Sequence, residues 1–237
     1  MPKRHRPALR APLAGLLACC ALAGCTRSTE PAITPAEIQA LVKRVQYLED
    51  MVAIQKLQAA YVHRLFTQRF EAIPAMYSSS PDVRVEFSDS GVFQGPESVS
   101  RLYNAFGRTR EVPGFFILHM AVNPYIEIAA DGQSARSHWL SPGASNSPSA
   151  SSWIWGPYYV DYVKEDAEWK ILHSNLLALF RNPYQYSWGE SPHHGTVDVS
   201  GMLGLTPDAP STLYRPFNEV RKERNIFRNH PELPAPY

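Results

Sequence analysis

In LHMAVNP, residues 118–124, a histidine sits inside what otherwise reads as a buried strand, and Asn123-Pro124 then interrupts the pattern. Imidazole titrates near pH 6.5, so it is the side chain best suited to accept and release a proton at neutral pH. By strand alternation His119 shares a face with Ala121 and Asn123, while Leu118, Met120 and Val122 take the other. Two readings stay open: a proton acceptor at the wall of an apolar cavity, or a core histidine bonded to a backbone carbonyl. Other chemistries find less support. Cys19, Cys20 and Cys25 all lie in the first 25 residues, so a chain processed at Cys25 has no cysteine nucleophile and no thiolate metal site in its folded part. His193-His194 stands alone in a Pro-rich tail, which speaks for solvent exposure rather than a metal site. There is no glycine fingerprint, phosphate loop or serine elbow. We therefore expect no metal and no cofactor.

The elements that must position His119 follow from patterning. The 237 residues, 44% hydrophobic and 19% charged, suit one domain with a sizeable core. Twenty-three lysines and arginines against 22 aspartates and glutamates leave a charge of +1 and no basic stripe, which excludes a nucleic-acid footprint. Thr34-Pro35-Ala36-Glu37 is a capping box with proline at the first helical position, so a helix starts there. Ile38, Leu41, Val42, Val45, Leu48 and Val52 give it an apolar stripe to bury on its own domain or on a partner chain, a dimer contact. The helical pattern continues through Tyr61 and Leu65 and fades near Pro74. A short helix over GPESVSRLYNAFG is expected to face Ser98, Ser100 and Asn104 outward. Residues 82–87, 115–129, 135–140, 153–163 and 168–180 read as strands, with turns at 130–133 and 165–167. SPGASNSPSASS, 141–152, reads as a surface loop. Helices followed by antiparallel strands make an α+β fold.

The order of long helix, strand, GVFQGPESV helix, LHMAVNPYIEIAADG and GPYYVDYVKEDAEWKILH resembles the SnoaL-like group of the nuclear transport factor 2 fold, over roughly residues 48–175. That resemblance implies a cone-shaped α+β barrel, a strongly curved antiparallel sheet closed by N-terminal helices around an apolar pocket. It matches His119 to the histidine that scytalone dehydratase and a hexachlorocyclohexane dehydrochlorinase use as base. It places Tyr61, His138 and Tyr158 as polar partners, and Phe66, Phe87, Asn123 and Trp155 as substrate-binding positions. Those relatives pair the histidine with an aspartate near the end of the long helix, where this sequence has Phe66.

The function so implied is a cofactor-independent lyase or isomerase, an enzyme eliminating water, halide or a small aldehyde from a small aromatic or polycyclic substrate, with His119 as general base. The alternative is a non-catalytic lipoprotein that binds an apolar ligand or serves as an assembly module, and a homo-oligomer is among the expected partners. The first 25 residues join a basic start to a short apolar run ending in Leu22-Ala23-Gly24-Cys25, which resembles a lipobox. It predicts lipidation at Cys25 and a place in the bacterial cell envelope, lipid-anchored at the periplasmic face of the outer membrane. The division expected is signal 1–25, tether and N-terminal helix 26–47, SnoaL-like domain 48–180, and an irregular extension 181–237 wrapping it.

Overall fold

The computed structural model describes residues 33–147, 150–186 and 199–212. The signal and lipidation segment through Cys25, the residues up to 32, His193-His194 and the tail from 213 lie outside the described residues. The chain divides into two units, Met1–Leu41 and Val42–Tyr237. In the first, the capping box forms as its residue types require. The Thr34 amide and hydroxyl each donate to Glu37 Oε2 at 2.8 Å, and the Glu37 amide donates back to Thr34 Oγ1 at 3.2 Å. Ile38 and Leu41 are exposed in this stretch.

The helix so started is α1, Pro35–Phe66. Within the second unit it buries Ile54, Gln58, Tyr61 and Leu65, spaced by three and four residues. The expected stripe of Val42, Val45, Leu48 and Val52 is instead exposed. Among the described residues no helix is long and apolar enough to cross a membrane.

The strands are β1 (Arg84–Phe87), β2 (Gly91–Gln94), β3 (Phe116–His119), β4 (Val122–Ile128), β5 (Ser134–Ser147), β6 (Ala150–Glu165), β7 (Glu168–Leu176) and β8 (Phe180–Pro183). Helix α2, Gly95–Gly107, separates β2 from β3, and a single short turn of helix, α3, spans Val199–Leu203. The sheet runs β2-β1-β7-β6-β5-β3, with β4 also on β5 and β8 also on β6. It is curved and open rather than a closed barrel. One pair, β1 with β7, is parallel, and the other pairs are antiparallel.

Three expectations about elements need correction. The run 115–129 is two strands: β3 ends at His119, and β4 starts at Val122 on a different part of β5, with an irregularity between Val122 and Tyr125. The expected loop 141–152 is instead the distal half of the β5–β6 hairpin, in register from Ser134↔Val163 to Ser147↔Ala150. Ser98 on α2 is buried, because residues 199–212 cover it: Asp208 accepts from its hydroxyl and from the Gln94 amide.

Candidate active site

His119 comes to its place through the last residue of β3. Ile117 and His119 point inward, Phe116 and Leu118 outward, as alternation requires. Opposite it in register is Gly143 of β5. A Cβ on Gly143 would stand 2.8 Å from His119 Cδ2 and 2.5 Å from the Leu118 carbonyl oxygen. The imidazole therefore lies against bare backbone, and only glycine leaves room for it. Its Nε2 is buried and has no hydrogen-bond partner among the described residues. A buried ring nitrogen without a partner is uncommon and stands ready for a group that enters.

His119 lines a cavity of about 50 Å³ between the sheet and the helices. Leu65, Phe87, Phe106, Phe115, Ile117 and Leu176 make its apolar wall, and Met202 of α3 completes it. The polar lining is Tyr61, Tyr103, Tyr158, Ser145, Asn146, Ser152 and Arg181, with His119 itself. Tyr61 arrives from the buried face of α1. Its hydroxyl meets Tyr103 at 3.0 Å, and Tyr103 meets Tyr77 at 2.8 Å, so three phenols form a buried chain. Tyr158, on β6, sets its ring edge-on to Tyr61, 6.2 Å between centroids. Burial raises the pKa of Tyr61, Tyr103 and Tyr158 well above the ordinary phenol value, so each stays a neutral hydroxyl able to donate.

Arg181 was not singled out in the sequence. It sits on β8, which pairs with β6 so that Arg181 faces Ile154. Its Nε donates to Asp89 Oδ2 at 3.0 Å in a buried ion pair with the turn between β1 and β2. The signal available was an arginine closing the apolar run LALF, whose charge must find a partner if the run is buried. Burial first, and the Arg181 charge second, lower the His119 pKa from 6.5 to about 3. His119 is thus a neutral imidazole throughout the physiological range.

Four expected site residues lie elsewhere. Phe66 is exposed at the end of α1, and the residue of that turn facing the cavity is Leu65. Trp155 points to the outer face of the sheet, stacked on Phe180 at 6.4 Å, because Ser152, Ile154 and Tyr158 take the inward positions of β6. His138 also faces outward, its ring 5.1 Å from Tyr159. The inward neighbours Ser137 and Trp139 bond Tyr162, which donates to Gln58 of α1. Asn123 is exposed with φ of 52°, and its side chain type serves that left-handed backbone at the start of β4. His119, Tyr61, Tyr158 and Phe87 are the expected residues that the cavity unites. No carboxylate lines it among the described residues, and none of these forms a cluster of histidine, cysteine or acidic side chains able to hold a metal.

A comparison with curated proteins gives no match. Solved structures do match. One is a protein of Novosphingobium aromaticivorans DSM 12444 provisionally assigned as a scytalone dehydratase, 18% identical, covering 61% of this chain and 93% of its own, with a TM-score of 0.52. Another is LinA, 18% identical over 61% of this chain and 96% of its own, TM-score 0.53. A third is the hexachlorocyclohexane dehydrochlorinase LinA-type3 of Novosphingobium barchaimii LL02, 18% identical with the same coverage and a TM-score of 0.52. At these identities the likeness is one of fold. The SnoaL-like domain matches residues 46–175, more than half of the chain and the stretch that carries α1's buried face, helix α2 of the cavity wall and His119. The chain therefore belongs to the SnoaL-like domain family, on the nuclear transport factor 2 fold.

Proposed function

We propose that this domain is a cofactor-independent lyase or isomerase for a small aromatic or cyclic apolar molecule, with His119 as general base. The observation that carries the reading is the buried, unpartnered Nε2 of His119, a residue that lines an apolar cavity together with Arg181. A neutral imidazole can take a proton, but the imidazolium then stands near a second cation in a dry site. That product is tolerable only if negative charge forms in the substrate during the same step. An elimination does this. The C–H bond breaks toward Nε2, its electron pair forms the new double bond, and the leaving group departs as an anion that Arg181 stabilises. An isomerisation that passes through an enolate meets the same requirement. Tyr158 and Tyr61 add neutral donors for a substrate oxygen. The dehydratase and dehydrochlorinase assignments of the structural neighbours support the elimination class.

The test is incubation with hydroxylated and halogenated cyclic and aromatic compounds, followed by mass spectrometry. Loss of water or hydrogen halide is expected, undiminished by chelators and without nicotinamide or flavin. Turnover that depends on added metal would overturn the cofactor-free reading. The non-catalytic alternative draws on the absence, among the described residues, of a carboxylate lining the cavity with His119. Saturable binding of such compounds with none consumed would establish it.

We also propose that the chain is a lipoprotein of the bacterial cell envelope, anchored through Cys25, on the strength of Leu22-Ala23-Gly24-Cys25. Metabolic labelling with a fatty acid is expected to mark the wild type and not Cys25→Ser. Label retained in that variant would end the claim.

A further inference from the structure

We propose that the outward face of α1 is the seam of a parallel two-stranded coiled coil made with a second copy of this chain. An α-helix turns about 100° per residue, which puts Val45, Leu48 and Val52 on the side opposite Ile54, Gln58, Tyr61 and Leu65. The helix is thus apolar on two opposed sides, one covered by its own domain and the other open.

The open side has the spacing of a heptad. Val45 and Val52 fall at a and Leu48 at d. In the same frame the sequence of the N-terminal stretch places Ile38 at a and Leu41 at d. These five side chains are 46 to 62% exposed. Branched Ile or Val at a with Leu at d favours two parallel strands over higher assemblies. The charges agree with that choice. Arg44 stands at g and Glu49 at the next e, so a parallel seam sets each arginine against the partner's glutamate. An antiparallel seam would set arginine near arginine and glutamate near glutamate. Neither Arg44 nor Glu49 makes an ion pair among the described residues, so both are available. Further along, the g positions Gln58 and Leu65 are buried in the domain, which ends the seam soon after Val52. Counted along the sequence, the heptad positions run over about 15 residues, near the lower limit for a stable helix and so enough for a concentration-dependent pair rather than a permanent one.

Sedimentation velocity on the full chain in detergent tests this over about 1 to 100 µM, the range in which micromolar interfaces titrate. The wild type is expected to pass from monomer to dimer as concentration rises. Leu48→Asp is expected to remain monomeric with unchanged circular dichroism, because that side chain is exposed and supports no fold contact. Arg44→Glu and Glu49→Arg should each weaken the dimer severalfold, and the two together should restore it. A wild type monomeric throughout, a trimer or larger assembly, or a dimer indifferent to Leu48→Asp overturns the coiled coil. The last result would point to another surface, such as the outer sheet face that carries Trp153 and Trp155. Failure of the double charge swap to restore what each single change weakens overturns the parallel register.

Discussion

The imidazole of His119 is useful as a base because two conditions meet at one atom: Nε2 is unbonded, and the ring is held neutral. Replacement by glutamine keeps much of the shape but cannot exchange a proton near neutral pH. His119→Gln is therefore expected to lower kcat by about 100- to 10,000-fold, the usual contribution of one general base, with folding retained. Near-normal turnover in that variant, beside a dead Tyr158→Phe, would move the role to the tyrosine. The pH profile of kcat/KM reads the same residue in the free enzyme. With the pKa lowered to about 3, the acid limb should be absent between pH 8 and 5, where an ordinary histidine would already have lost activity. Part of that lowering comes from Arg181. Removing both charges of its ion pair, Arg181→Gln with Asp89→Asn, leaves no lone buried charge and should shift the limb upward toward 6.5. A wild-type limb already near 6.5 would show that water reaches His119 freely.

At the scale of elements, the hairpin of β5 and β6 decides where the imidazole can lie. Gly143→Ala would set a methyl group against His119 Cδ2, Ile154 Cγ2 and the Leu118 carbonyl oxygen, all under 3 Å. Because one of these is backbone, the strand must move. The expected cost is about 1 to 3 kcal/mol of stability, measured by urea denaturation, with kcat falling as well because the ring is displaced. A neutral outcome would mean that β3 and β5 are further apart than described. The same hairpin shows what patterning could and could not disclose. Helix α1 was legible from its capping box and its three-and-four spacing, and β6 and β7 from their branched and aromatic runs. The half-hairpin 141–152 was not, because Ser141, Gly143, Ser145 and Ser152 are small for reasons that lie across the sheet rather than along the chain. The resemblance also misplaced Trp155, which alternation along β6 puts on the face opposite Ser152, Ile154 and Tyr158. His119, Tyr61 and Tyr158 were legible through family resemblance. Arg181 was not, since its partner Asp89 lies 92 residues away.

Across the whole molecule, proton binding couples the site to the fold. Several carboxylates are held below their ordinary range. Burial raises Asp50, yet the Lys164 and Trp169 donors at 2.7 and 2.8 Å prevail. Glu165 is lowered chiefly by the Ser78 hydroxyl. Asp208 is raised by burial but lowered more by Ser98, the Gln94 amide and Arg101. Their stabilisation is complete above the unfolded values near 4 and is lost only as pH falls further. His119 titrates in a different window. Its folded pKa of about 3 lies below the unfolded 6.5, so between those values the unfolded chain binds a proton that the folded chain refuses. Stability must then fall as pH drops below 6.5, by about 1.4 kcal/mol per pH unit for one proton. Down to about pH 5.5 the carboxylates named above stay ionised in both states, and the comparison with His119→Gln isolates the imidazole from every other titrating group. Urea denaturation of the wild type at pH 7, 6, 5 and 4.5 is expected to show this decline, and His119→Gln should remove about one proton's worth of slope. Equal slopes in the two proteins would mean that His119 keeps an ordinary pKa in the fold, and the dry, neutral base would have to be given up.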